Sequence, residues 1–318
     1  MQFTSLLLLF SLLATSANAL DEVENFGSNP GNCEMYVYEP TSLKKDQNSP
    51  LLVAIHGCNE SANKLSKQAG WNDLADRYGF RILYPQTKYT NNGQRCWNWF
   101  NAGDTYDGQG ELGSIREMIA YMMKNYAISD EEVFIYGVSS GGAMTSAAMA
   151  NYPELFQAGC VYAGGPFGVA SSPMRAMKTM ANPDDRSSED LAASVLKQSG
   201  EDVTHYPRVV VVHGTRDPIV DSKNGELVCK QWAALHSMEE KHLRSSLVNN
   251  REDLVLMEYS GVTGEVLVSH LEIKKMMHAI AIDPGDGPEQ GGKRSIFSLD
   301  YDFHSSLWIA RQMGLIKK

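Results

Sequence analysis

Short apolar runs alternate with longer stretches of helical period along this chain, from residue 35 to residue 313. Residues 35–38, 51–55, 81–84, 133–136, 160–163 and 209–212 are four- or five-residue runs dominated by β-branched, aromatic and other apolar side chains. Each predicts a strand. The runs at 51–55 and 209–212 hold no polar residue, as expected of strands covered on both faces. Two further runs, 254–257 and 266–269, predict strands near the carboxyl end. Between the strands, residues 61–77, 111–126, 143–150, 190–197, 226–236 and 303–313 predict helices. In the first of these Leu65, Ala69, Trp71, Leu74 and Ala75 recur at roughly helical spacing. Strands alternating with helices along the whole length predict an α/β architecture: a mostly parallel, doubly wound sheet with helices on both faces. Two segments break the rhythm. Residues 86–110 form a long polar loop containing Cys96-Trp97-Asn98-Trp99-Phe100, and loops of that length are often functional. Residues 167–207 are polar and irregular apart from one helix, a candidate lid. With no repeat, low-complexity tract or linker, residues 20–318 are expected to form one catalytic domain.

The strand at 133–136 runs through Gly137-Val138-Ser139-Ser140-Gly141 directly into a helix. Gly137 and Gly141 let strand and helix crowd together while Ser139 is held in a strained, outward-pointing conformation. The bland reading is a glycine-rich turn whose serine only satisfies backbone. Strand before and helix after favour the nucleophile elbow of an α/β-hydrolase fold, with Ser139 as the attacking group. A serine hydroxyl attacks only when a base takes its proton, and an acid must hold that base. In this fold the order along the chain is serine, acid, histidine. His270 alternates with Val266 and Val268 as a strand residue, and His304 falls inside the terminal helix. His278, in the loop between them, is the expected base. Asp217 follows the strand at 209–212 in His213-Gly214-Thr215-Arg216-Asp217-Pro218 and is the expected acid. Asp221 competes with it, and an exposed Arg216–Asp217 ion pair is the simpler alternative. The oxyanion donors are expected to be the backbone N–H of Ser140 and that of Cys58, in His56-Gly57-Cys58 after the early buried strand. His56 precedes the nucleophile and is read as structural.

Charge and cysteine content narrow the setting. A net charge of −10 with no basic cluster argues against nucleic acid and anionic membranes as partners. Asp283-Pro284-Gly285-Asp286-Gly287 lacks the ligand spacing of a calcium loop and is read as a turn, so neither metal nor cofactor is expected. Residues 1–19 carry a short apolar core ending in Ala17-Asn18-Ala19, a leader with a small-x-small cleavage pattern. Secretion or a periplasmic location follows, and disulfides become permissible there. Of the five cysteines at least one stays unpaired; Cys160, in an apolar run, is read as a buried thiol. Asn59-Glu60-Ser61 matches a glycosylation sequon but abuts the oxyanion loop, and is read as a chance match.

His56-Gly57-Cys58, Arg95-Cys96-Trp97-Asn98-Trp99-Phe100, Gly108-Gln109-Gly110-Glu111 and the Ser139 elbow occur in one order. With His213-Gly214…Asp217…Val220 and Met277-His278-Ala279, they resemble the poly(3-hydroxybutyrate) depolymerase-like esterases across essentially the whole chain after the leader. The resemblance implies Ser139, Asp217 and His278 as the triad and a Cys58–Cys96 disulfide; two buried free thiols are the alternative. It also suggests that Trp97 and Trp99 line a substrate groove, although either could be core, with Trp99 the one facing the cleft. Ile280 stands where relatives often carry tryptophan, and no polymer-binding domain follows. Small or amorphous polyester substrates are therefore expected, with no obligate protein partner. Feruloyl and acetylxylan esterases share the elbow and are the alternative. A non-catalytic secreted binding protein with the same fold is the reading from another class.

Overall fold

Why the rim of one sheet collects the chemistry follows from which strands are buried. The computed structural model describes residues 19–200, 202–261 and 264–316; residues 1–18 of the expected leader lie outside the described residues. The amino-terminal strands are β1 (Asp21–Val23), β2 (Glu34–Tyr38), β3 (Ser49–Ile55) and β4 (Arg81–Gln86). β5 (Ile128–Val138), β6 (Ala158–Tyr162) and β7 (Arg208–Gly214) follow. β8 (Leu243–Leu247), β9 (Leu254–Ser260) and β10 (Val266–Ile273) complete one sheet in the order β1-β2-β4-β3-β5-β6-β7-β10-β9-β8. From β4 to β10 neighbouring strands are parallel, with antiparallel strands on both flanks. A short pair, β11 (Ile280–Ile282) and β12 (Ser298–Asp300), lies apart.

Helices cover both faces. Along β3, Leu51, Val53 and Ile55 enter one apolar core, while Leu52 and Ala54 enter the other, the period of two that a strand imposes. The first core is filled from α4 (Gly110–Asn125) by Leu112, Ile115 and Met118, and from α5 (Ser140–Asn151) by Met144 and Ala147. α7 (Ser188–Ser199) and α8 (Lys223–Leu235) add Leu191, Val195 and Trp232. The second core takes Leu65 from α1 (Ala62–Gln68), Trp71 and Leu74 from α2 (Trp71–Tyr78), and Leu307 and Met313 from α9 (Ser305–Met313). Each fully buried aliphatic or aromatic side chain contributes about 1.5–3 kcal/mol. The central strands are buried on both sides, so only their ends are free to carry polar groups.

Several elements differ from the sequence reading. The helix expected at 61–77 is two helices, because Gly70 between them adopts φ +74°, a left-handed turn that stops α1. α9 begins at Ser305, so His304 stands before it, buried, with Nε2 3.2 Å from the Ala69 carbonyl. A short helix, α3 (Ala102–Thr105), lies in the loop at 86–110. In the segment at 167–207, α6 (Pro173–Ala181) was not expected. Ser172 Oγ accepts the Arg175 N–H, and Pro173 occupies the first turn, where its missing donor costs nothing.

Candidate active site

Every parallel strand of the central sheet ends on the same edge, and the expected chemistry sits just past those ends. Ser139 follows β5 and adopts φ 57°, ψ −121°, outside the regions a residue with a side chain ordinarily occupies. Such a conformation costs about 1–3 kcal/mol and persists only where its surroundings enforce it. Here the crowding is explicit: a Cβ on Gly137 would lie 2.2 Å from the Gly141 carbonyl oxygen, and one on Gly141 would lie 2.4 Å from that of Ile55. The Ser139 N–H donates to the Tyr162 carbonyl at 2.9 Å, and its own carbonyl accepts from Ala143 at 3.0 Å, starting α5. The serine thus sits at a helix N-terminus, where the aligned peptide dipoles favour negative charge.

Past β7, the Asp217 side chain is fully buried. Its Oδ1 accepts the N–H groups of Ile219 at 2.8 Å and Val220 at 2.9 Å. Its Oδ2 lies 2.6 Å from His278 Nδ1 and 3.4 Å from His213 Nε2. Burial alone would raise this carboxyl, but the bonds from His213 and His278, the charge of His278 and the Val220 N–H together hold it far below the usual carboxylate range. Asp217 is therefore an anion, and His278 Nδ1–H donates to it. Asp221 instead accepts the Lys223 N–H at 2.9 Å near the start of α8. His213, read only as a strand-end residue, is buried behind Asp217 and also bonds the Val220 carbonyl at 2.9 Å.

Opposite in kind are the loops after β3 and β4. A disulfide joins Cys58 to Cys96, with Cα atoms 4.1 Å apart. Cys33, Cys160 and Cys229 are free and buried. The Asn59 N–H donates to the Gln94 carbonyl at 2.8 Å, a second tie between the same loops. His56 is fully buried; its Nδ1 bonds the Gly57 carbonyl at 2.7 Å, and its Nε2 accepts the Thr87 N–H at 3.3 Å. Burial lowers it to about 4, so it is a neutral structural link. Among the described residues no acceptor is found for the N–H of Cys58 or of Ser140.

The aromatic residues divide. Trp97 is fully buried, donates Nε1–H to the His56 carbonyl at 3.0 Å and does not reach the cleft, so its expected place in a substrate groove is corrected. It braces the His56-Gly57-Cys58 loop from behind. Trp99, 8% exposed, shares a small void of about 10 Å³ with Ser139, Ala143 and Met180. Glu111 orders this region: its carboxylate accepts from Thr87 Oγ1 at 2.5 Å and from the Asn98 N–H at 2.6 Å.

Ser139, His278 and Cys58 line one cavity of about 210 Å³, mostly apolar, whose walls include Met180, Ile219 and Phe297. Met180 comes from α6, which places the expected lid segment at the cleft. Glu60 also lines this cavity. It stands two residues after Cys58 in sequence, a signal obscured by its place inside a sequon. The walls contributed by Met180 and Phe297 carry no sequence signature. The carboxylates of Asp283, Asp300 and Asp302 lie within 4.8 Å of one another, a grouping that could hold a cation, though Asp300 already pairs with Arg294 and Asp283 accepts from Gln290. None of the three lines the Ser139 cavity.

The chain is 33% identical over 311 residues to poly(3-hydroxyalkanoate) depolymerase C of Paucimonas lemoignei, covering 97% of this chain and 73% of that one. It is 34% identical over 229 residues to acetylxylan esterase A of Aspergillus oryzae, covering 70% and 73%. Its fold matches the acetyl xylan esterase of Aspergillus awamori with a TM-score of 0.74 at 25% identity, over 82% of this chain and 94% of that one. The sheet and its helices are those of an α/β-hydrolase. The family pattern of the esterase PHB depolymerases matches residues 34–253, and the chain belongs to that family of serine carboxylic ester hydrolases.

Proposed function

We propose that the protein is an exported esterase that cleaves poly- or oligo(3-hydroxybutyrate)-type esters through a covalent acyl-enzyme. Ser139 attacks the ester carbonyl, His278 takes its proton through Nε2 and returns it to the departing alcohol, and Asp217 holds the imidazole and stabilises its charged form. The N–H groups of Cys58 and Ser140 bind the oxyanion of the tetrahedral intermediate. Water activated by the same histidine then releases the acid. One observation carries the reading: the 2.6 Å His278–Asp217 contact fixes Nδ1 as the donor, leaving Nε2 for a serine lining the same cavity. The mostly apolar walls suit the acyl part of a polyester, and the likeness to the Paucimonas lemoignei depolymerase over nearly the whole chain supports that substrate. The leader pattern and the Cys58–Cys96 disulfide support export. An acetylxylan-type substrate is the second reading, favoured by the fold match to the Aspergillus awamori enzyme. The test is kcat/KM of the purified protein on 3-hydroxybutyrate oligomers, acetylated xylo-oligosaccharides and feruloylated arabinose. The highest value is expected on the oligomers; a higher value on either carbohydrate ester overturns the polyester assignment.

A further inference from the structure

One carboxyl at the cleft has no part in this mechanism. Glu60 is 2% exposed and lines the cavity that Ser139 and His278 share. Its backbone is tied at both ends: the N–H donates to the Gly57 carbonyl at 3.3 Å, and the carbonyl accepts from the Arg95 guanidinium at 3.3 Å. The Gln68 side chain and the Gly57 backbone lie beside the carboxyl and favour its charged form. Its Oε1, however, is buried with no partner among the described residues. Buried polar atoms are nearly always satisfied, and one left unpaired on a residue that lines the same cavity as Ser139 and His278 calls for an explanation.

The charged and titratable groups that face Glu60 come from four directions: Lys64 on α1, Arg95 on the aromatic loop, Tyr136 on β5 and His278. None forms an ion pair with it among the described residues. Burial pushes the carboxyl up to about 7, against smaller downward pulls from Gln68, Lys64, Gly57 and His278. Near neutral pH both its forms are therefore present. The protonated acid donates as well as accepts; the carboxylate only accepts. A substrate carbonyl suits the first form alone and an ammonium the second alone. A hydroxyl both donates and accepts, so it binds either form, and it binds the carboxylate more tightly because that hydrogen bond is charge-assisted.

We propose that Glu60 is a specificity-determining residue that binds a hydroxyl group of the ester substrate through its carboxyl group. The inference rests on Ser139 and His278 being the reacting pair. The hydroxyl belongs either to the acyl part, as in a terminal hydroxyacyl unit, or to the alcohol part, as in a partly acetylated sugar. A site built around such a hydrogen bond discriminates against the analogue lacking it.

Two matched substrate pairs test this and separate the sources: 4-nitrophenyl 3-hydroxybutyrate against 4-nitrophenyl butyrate, and monoacetylated xylobiose against butyl acetate. The wild type is expected to favour the hydroxylated member of one pair by about tenfold or more in kcat/KM. Glu60→Leu should bring that ratio to about one. Glu60→Gln, whose amide still donates and accepts, should keep the preference and remove its variation between pH 6 and 8. A merely structural role lowers both members alike and leaves the ratio intact in Glu60→Leu, which overturns the proposal. So does a wild type with no preference in either pair, or an ordered water that keeps its place on the Glu60 carboxyl when substrate is bound. Should Glu60→Leu fail to fold, the pH profile of Glu60→Gln decides: a ratio that still varies as in the wild type refutes the assignment. A wild type that hydrolyses neither pair and takes no serine-directed label points instead to failure of the Ser139–His278 reading.

Discussion

Two sides of the cleft are held by different forces. On the Asp217 side one buried carboxylate gathers four donors: two backbone N–H groups and two imidazoles. On the Cys58 side the ties are a disulfide, the Trp97 indole on the His56 carbonyl and a buried imidazole kept neutral. The first arrangement is electrostatic and answers to protons. The second is covalent and neutral, and answers to reductant. The division suits the proposed tasks, since a base must change charge during each turnover whereas an oxyanion site works by staying still.

The largest expected effect breaks the charged side. Asp217→Asn removes the anion that orients His278 and should lower kcat by about 10³–10⁴-fold at neutral pH, with a smaller change in KM. Steady-state kinetics on one ester check this; a loss of less than tenfold means that Asp217 does not govern the base.

The covalent side should fail more gently. Replacing Cys58 and Cys96 by serine is expected to cost about 2–4 kcal/mol of stability. Loosening one oxyanion donor should lower kcat by about 10–100-fold. Urea unfolding and kinetics of the double variant, beside wild type in reductant, measure both.

Acid separates the two sides. Asp217 is depressed below its unfolded value of about 3.9, so its contribution is full above roughly pH 4 and is lost as pH falls through the folded value. The stability difference between wild type and Asp217→Asn should therefore shrink from pH 5 to pH 3, whereas the penalty of the disulfide variant should stay flat. Parallel urea titrations across that range would show it, and equal pH dependence in both variants contradicts the division. The smallest effect is expected from Trp97→Phe. It removes the N–H donated to the His56 carbonyl and leaves a small cavity at a fully buried site, together about 1–2 kcal/mol of stability and a few-fold in kcat.

How much of this was legible in the sequence depended on whether a feature is local. The buried strands at 51–55 and 209–212 and the glycine-flanked Ser139 declare themselves because burial and backbone strain select residue types one position at a time. Gly70 is equally readable as a helix stop, but the apolar period from Leu65 to Leu74 runs across it and masks the break. Helix α6 was missed although Ser172-Pro173 is a start signal, because its exposed Met174 and Met177 give no clean apolar face. Trp97 and Trp99 stand two residues apart and look alike in sequence. Only the tertiary path of the loop sends one behind His56 and the other toward Ser139. The role of His213 against Asp217 depends on how the turn after β7 folds back, which no local pattern records.

The most direct test of Ser139 as an activated nucleophile is the intact mass of the protein after treatment with a fluorophosphonate, followed by peptide mapping, in wild type and Ser139→Ala. One adduct on Ser139 is expected, with none in the variant and its ester hydrolysis gone while it remains folded. An adduct on another residue, or a folded Ser139→Ala protein that still hydrolyses the ester at the wild-type rate, contradicts it.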